Sequence, residues 1–304
     1  MPLTKPLLIC VVGPTAIGKT SLAIAIAKAF STEILSADSR QFYKEMKIGT
    51  AVPSSEELAA VTHHFIQNKS IFDNYSVGDF EKEALLLLDR LFLKHKVVVM
   101  VGGSGLYVDA VVKGLDVFPE VTKGIREQLN LELDLNGIEF LQKELEEVDP
   151  DYFQKADIHN PHRVIRALEI FRSTNKPFSS YLKNKNNKRS FDTIYIGLTA
   201  EREIIYDRIN QRVDIMIAEG LLDEANKLLP NKTLNALQTV GYRELFQHFE
   251  GTLSREEAIA EIKKNTRRFA KRQGTWFRKN EDIHWFDYAK DPSEIVTFIK
   301  QKTP

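Results

Sequence analysis

The stretch Gly13-Pro14-Thr15-Ala16-Ile17-Gly18-Lys19-Thr20 decides the fold, because it satisfies the phosphate-loop pattern G-x-x-x-x-G-K-[ST] in the right surroundings. Before it runs Leu7-Leu8-Ile9-Cys10-Val11-Val12, an apolar run of the length a buried strand needs. After it runs Ser21-Leu22-Ala23-Ile24-Ala25-Ile26-Ala27-Lys28, a helix former. Glycines at both ends let the backbone curl so that successive N–H groups point inward, and the helix start adds partial positive charge. Lys19 is placed to reach outer phosphates, and the Thr20 hydroxyl suits a magnesium ion. The loop binds a polyphosphate, and its pattern leaves open which one.

The rest of the composition narrows the class. With 304 residues, 43% hydrophobic and 28% charged, the chain is long enough for one large or two modest cores. A lone cysteine, Cys10, sits in the first apolar run, which excludes a disulfide framework and points to a reducing compartment. No apolar stretch has spanning length, and the N-terminus leads straight into the first strand, so no membrane and a cytoplasmic location are expected. Lysine plus arginine equals aspartate plus glutamate, 42 each, yet the signs are unevenly spread: acids crowd Glu132 to Asp151, bases crowd Lys263 to Lys279. A neutral sum hides a basic face.

Along the chain, Glu33-Ile34-Leu35-Ser36-Ala37 reads as a second strand ending in Asp38-Ser39-Arg40-Gln41. Ligands of open α/β sheets gather at the carboxyl ends of strands, so Asp38 is expected near the phosphate loop. It suits a general base, a magnesium ligand or a helix N-cap. His63-His64 is read as structural, since adjacent histidines point apart. Val77 to His95 spaces Phe80, Ala84, Leu87, Leu88 and Leu91 on one side of a helix, and Val97 to Val101 is a continuous buried strand. Gly102-Gly103-Ser104-Gly105 then repeats the pattern of a small, hydroxyl-bearing loop at a strand end.

From Gly114 the alternation stops, and helices are predicted near Lys123–Leu133, near Ile138–Val148 and from Pro161, the last capped by Asn160. Arg163 and Arg166 share a face opposite Val164, Leu168 and Phe171. The polar run Asn184 to Arg189 is expected to be a mobile loop. Thr193–Leu198 restores the sheet, and the helix after it offers Arg208 and Arg212, one turn apart, as a polyphosphate clamp or as surface partners of Asp207 and Asp214. In the last long helix, Arg255 to Arg278, a buried stripe of Ile259, Ile262, Thr266, Phe269, Gln273 and Trp276 is predicted. Its other faces carry Lys263, Lys264, Arg267, Arg268, Lys271 and Arg272, with almost no acid to balance them, which favours a phosphate-rich partner. His284-Trp285-Phe286 closes the reading as a strand.

Taken together in order, these pieces resemble the tRNA dimethylallyltransferases of bacterial type, also called tRNA isopentenyltransferases. The phosphate loop, Asp38-Ser39-Arg40-Gln41, Gly49-Thr50 and Gly102 to Tyr107 carry the first half of the resemblance. Arg163 to Glu169, Gly241-Tyr242-Arg243-Glu244 and Thr266 to Arg278 carry the second. The resemblance implies an α/β fold, a P-loop NTPase-like parallel sheet flanked by helices (1–114 and 190–304, with the basic C-terminal helix). An inserted all-helical domain (115–189) would grip the anticodon stem. It implies transfer of a dimethylallyl group from dimethylallyl diphosphate to the exocyclic amine of the adenosine next to the anticodon, with Mg2+ as cofactor and a monomeric chain.

Carried over residue by residue, Gly13, Pro14, Thr15, Ala16, Ile17, Gly18, Lys19 and Thr20 hold the leaving diphosphate, with Thr20 on the metal and Arg212 and Arg208 assisting. Asp38 accepts the amine proton and Ser104 helps through its hydroxyl. The tRNA contacts fall on Asp38, Ser39, Arg40, Gln41, Ser104, Arg126, His162, Arg163, Val164, Ile165 and Arg166. They continue at Thr239, Val240, Gly241, Tyr242, Arg243 and Glu244, and on the basic Arg267, Arg268, Lys271 and Arg272. Three positions depart from the family pattern: Ser104 where Thr is usual, Phe269 where Tyr is frequent, and His162 where Gln is familiar. The competing readings are a small-molecule kinase using ATP, an adenylate isopentenyltransferase acting on free nucleotide, and a non-catalytic RNA-binding module.

Overall fold

A computed structural model describes residues 5–182 and 188–302 of the chain. Met1 to Thr4, and Asn184 to Asn187 of the polar loop, lie outside the described residues. Contacts divide the chain into two compact units, Met1–Lys113 with Lys188–Pro304, and Gly114–Asn187.

The larger unit is built on six parallel strands: β1 (Leu7–Val12), β2 (Ile34–Ser36), β3 (His63–His64), β4 (Val97–Gly102), β5 (Asp192–Thr199) and β6 (Ile283–Asp287). They lie in the order β3-β2-β4-β1-β5-β6. β1 is central and buried on both faces, which explains its unbroken apolar sequence. Period-two alternation sends Leu8, Cys10 and Val12 to one core layer and Leu7, Ile9 and Val11 to the other. Each such fully buried aliphatic side chain contributes about 1.5–3 kcal/mol relative to exposure.

Helices cover both faces. In the first half these are α1 (Lys19–Ala29), α2 (Ser55–Ala60), α3 (Val77–Phe92) and α4 (Gly105–Lys113). The α3 seam is the predicted one, with Phe80, Ala84, Leu87, Leu88 and Leu91 buried, and a Ser76/Asp79 capping box starts it. The edge strand β3 carries His63 and His64, and His64 pairs with Glu33 at 2.7 Å. Among the described residues, no group of three His, Cys, Asp or Glu is arranged to hold a metal ion.

The smaller unit is all helix: α5 (Ile125–Asn136), α6 (Ile138–Val148), α7 (Pro150–Lys155) and α8 (Pro161–Thr174). Asn160 caps α8 through His162 N–H at 3.1 Å. The short α7, capped by Asp149, adds to the predicted helices, since six residues give too little periodicity to read. Leu129, Leu141, Leu145, Val164 and Leu168 form the core of this unit.

The chain returns through β5 to α9 (Arg202–Ala218), α10 (Leu221–Leu228), α11 (Tyr242–Phe249), α12 (Arg255–Phe277) and, after β6, α13 (Pro292–Lys302). No helix among the described residues is long and apolar enough to cross a membrane. On α12 the buried side differs from the predicted stripe: Ala258, Ile262, Ala270, Gln273 and Phe277 are inside, while Phe269 and Trp276 are exposed. Small Ala270 lets the helix approach closely, forming one cluster with Ala16 of the phosphate loop and Ile209 of α9. Trp276 instead lies over Gly105, with its indole N–H donating to Asp109 at 2.9 Å.

Candidate active site

The carboxyl ends of β1, β2 and β4 are neighbours in the sheet, and each releases a polar loop on the same edge. β1 leads into the phosphate loop. Gly13 has φ 141° there, and a Cβ on it would come within 2.6 Å of the Leu198 carbonyl oxygen, so only glycine fits. Ala16 adopts a left-handed φ of 63°, which costs a non-glycine residue about 1–3 kcal/mol. Its carbonyl is held by Arg208, whose Nε donates at 2.7 Å. The left-handed Gly18 (φ 106°) opens α1, and the first carbonyl acceptor of that helix is Gly18 itself, bonded by Leu22 N–H. The N–H groups of Lys19, Thr20 and Ser21 therefore have no partner within the helix and are available to an anion.

Three charges converge on this cradle. Lys19 donates from Nζ to the Pro14 carbonyl at 2.6 Å, wrapping its stem around the loop. Burial pushes its pKa down to about 8, Asp38 opposes the shift, and Arg212 adds to it. The guanidinium of Arg212 is likewise lowered by burial and by Arg208, and supported by Asp38. Asp38 is thus within electrostatic reach of both cations. The paired arginines differ in their partners: Arg208 holds the loop and stacks on Tyr288, while Arg212 acts electrostatically on Lys19.

Asp38 follows β2. No helix starts there, so the N-cap alternative falls: its Oδ1 accepts from Arg40 N–H at 3.1 Å in a tight turn. Ser104 follows β4 and locks onto the same turn, accepting from Ser39 N–H (3.1 Å) and donating to Ser39 Oγ (3.2 Å). Its missing methyl is compensated by these two fixed partners.

Several positions carried over as RNA contacts are engaged by partners within the fold. Tyr242 is fully buried, donates from its hydroxyl to Glu224 at 2.7 Å and lies against Gly49. Glu244 is buried and accepts from Gly241 N–H and Asn265 Nδ2, both at 2.8 Å. The Gln41 amide is taken up by the Thr50 and Ala51 carbonyls and by Ser36, and Arg40 holds the Asn235 and Ala236 carbonyls. Thr239 and Val240 are half-buried, Gly241 is buried, and Arg243 alone of this run is exposed. Within the helical unit, Val164 and Ile165 are core residues, so their side chains are closed to any partner. Arg126 and Arg166 both grip the buried Glu169, at 2.8 and 2.6 Å, and Arg166 also covers the Phe118 ring. His162 and Arg163, in the first turn of α8, are exposed.

On α12, Arg268, Lys271 and Arg272 are exposed, whereas Arg267 is pinned to α9 by Asn210 at 2.7 Å and by the Tyr206 ring. Two residues the sequence reading did not single out complete the frame. Glu224 accepts three successive backbone N–H groups, from Lys47, Ile48 and Gly49, at 2.8–3.0 Å. Gln273, read only as part of a buried stripe, reaches the phosphate loop itself. A lone amide in an apolar seam is the one signal that marks it.

The parallel sheet, the phosphate loop after its central strand and the carboxylate after β2, two strands away on the same edge, define a phosphate-loop α/β protein. A family model, IPP transferase, matches residues 41–280. The tRNA dimethylallyltransferase of Christiangramia forsetii is 62% identical over 295 residues, covering 97% of this chain and 98% of that one. That of Flavobacterium psychrophilum is 59% identical over 301 residues, covering 97% and 98%. Among solved structures, the full-length tRNA isopentenylpyrophosphate transferase of Bacillus halodurans superposes with a TM-score of 0.73 at 38% identity, covering 98% of this chain and 97% of that one. A eukaryotic dimethylallyltransferase acting on tRNA superposes with a TM-score of 0.80 at 26% identity, covering 98% of this chain and 77% of that one. The chain belongs to the IPP transferase family.

Proposed function

We propose that the chain transfers a dimethylallyl group from dimethylallyl diphosphate to the N6 amine of the adenosine beside the anticodon of tRNA, in the cytoplasm and as a monomer. The observation that carries this reading is the Asp38 turn after β2, tied to Ser104 after β4, on the same sheet edge as the phosphate loop after β1. The loop N–H groups, Lys19 and Arg212 hold the donor's diphosphate and stabilise the charge that grows on it as the carbon–oxygen bond breaks. The amine nitrogen forms the new bond to the prenyl carbon, the bonding pair leaves with diphosphate, and Asp38 takes the N6 proton.

The residues present fit magnesium. Thr20 stands in the first turn of α1, directly after the glycine loop, and a hard cation needs only one or two protein oxygens when phosphates supply the rest. Bound there, the ion would supply further charge neutralisation at the diphosphate.

The target base must leave its stack to reach Asp38, at a cost of a few kcal/mol that contacts elsewhere offset. The exposed cations of α12 supply such contacts. Replacing Arg268, Lys271 or Arg272 by Ala is expected to weaken stem-loop binding across all sequences. Each should reduce the slope of log K against log salt by about one. Arg267→Ala should leave that slope unchanged while loosening α12 from α9, because its guanidinium is already occupied. Salt titrations of stem-loop affinity check both; equal slopes for all four variants would contradict the assignment.

The donor assignment has its own test. Inorganic diphosphate with magnesium should inhibit competitively against the donor and not against the stem-loop. Transfer of phosphate from ATP to an acceptor, with no competition by diphosphate, would overturn it in favour of a kinase.

A further inference from the structure

Gln273 stands on the inner side of α12 and is 6% exposed. Its Oε1 accepts the Thr15 N–H of the phosphate loop at 2.9 Å, and its Nε2 donates to the Gly103 carbonyl at 2.9 Å. One planar amide therefore joins the loop after β1 to the loop after β4, across 258 and 170 positions of sequence. The fit is close on both sides. A Cβ on Gly103 would lie 2.2 Å from the Gln273 Nε2, and the Gly13 carbonyl stands 3.7 Å from the same point.

The two joined loops have different tasks in the proposed reaction, on which this inference rests. The phosphate loop carries the leaving diphosphate, while Ser104, next to Gly103, fixes the turn that presents Asp38 to the acceptor amine. We propose that Gln273 is a positioning residue that holds the donor loop and the acceptor loop in register for in-line transfer.

The chemistry of the site requires this side chain. Thr15 offers a donor and Gly103 an acceptor, so the bridge must accept at one end and donate at the other without carrying charge. A carboxylate in its place keeps the bond from Thr15 but opposes the Gly103 carbonyl. An aliphatic side chain leaves the buried Gly103 carbonyl and the part-buried Thr15 N–H without this partner. The bridge itself cannot drift, because α12 is tied down on either side of it by Arg267 to Asn210 and by Trp276 to Asp109. Because the Thr15 N–H is committed to Gln273, the anion is left to the N–H groups nearer the helix start.

Gln273→Leu and the isosteric Gln273→Glu test the role in the full chain. Readouts are label transfer from dimethylallyl diphosphate at saturating substrates, titrations with inorganic diphosphate plus magnesium and with an anticodon stem-loop, and thermal melting. A positioning role predicts that kcat falls about 100-fold, as expected for a shift of about 1 Å in reacting groups. Stem-loop affinity should stay within twofold and diphosphate affinity within fivefold. If Gln273→Leu does not fold, Gln273→Glu, which preserves shape, carries the test. A folded variant with kcat within threefold of the parent overturns the inference, as does a loss confined to the two affinities. Absence of transfer by the parent chain itself would instead overturn the reaction on which the inference rests.

Discussion

Asp38→Asn is expected to lower transfer by about 10²–10⁴-fold, the range typical of a removed general base. The variant is nearly isosteric, and the amide oxygen still accepts from Arg40 N–H, so the turn after β2 keeps its shape. Ser104 holds the same turn independently through Ser39. Binding of inorganic diphosphate and of the stem-loop should consequently change by no more than a few-fold at pH 7. Single-turnover label transfer beside the two binding titrations checks this. Near-parental turnover would remove Asp38 from the proton-accepting role.

Lys19→Met is expected to lower kcat/KM for the donor by about 10²–10³-fold, as when one preorganised donor to a developing oxyanion is lost. The same lysine predicts a pH dependence whose sign can be worked out. In the free protein its pKa is pushed down to about 8 by burial, against an ordinary value of 10.5. A bound diphosphate favours the ammonium form, so binding above that pH takes up a proton. Affinity for inorganic diphosphate should hold steady below pH 8 and fall as pH rises through 8, and Lys19→Met should flatten the profile. For folding the sign is opposite. Between pH 8 and 10.5 the unfolded chain holds the proton and the folded one releases it, so this group's contribution to stability rises with pH across that window. Calorimetric titrations of diphosphate at several pH values decide the first point, and an unshifted profile in the methionine variant would contradict it.

The parts of the site visible in the sequence are those whose chemistry is written locally. Gly13 to Thr20 states its loop, strand and helix in one continuous stretch, and the strand-end rule for open sheets brings Asp38 and Ser104 to it. Contiguous runs are less legible as surfaces. A helix turns successive side chains about 100° apart, so a run such as His162 to Arg166 cannot all face one partner, and Val164 and Ile165 point into the core. The same geometry buries Tyr242 and Glu244 while exposing Arg243 between them. On α12 the bulk of Phe269 and Trp276 suggested the inner face, but the close approach to the phosphate loop demanded a small residue there, Ala270. Glu224 carries no local signal, and Gln273 shows only as a lone amide in a helix seam. Their partners are backbone groups far away in sequence, and no local spacing encodes a bond to a distant N–H.

The most direct measurement is transfer of label from dimethylallyl diphosphate, with magnesium, into an anticodon stem-loop bearing adenosine after the anticodon, run beside AMP and beside ATP with an acceptor. Label entering the stem-loop alone, at N6 and with release of one diphosphate per turnover, is the predicted result. Label entering AMP, or ATP consumption without prenyl transfer, would contradict it.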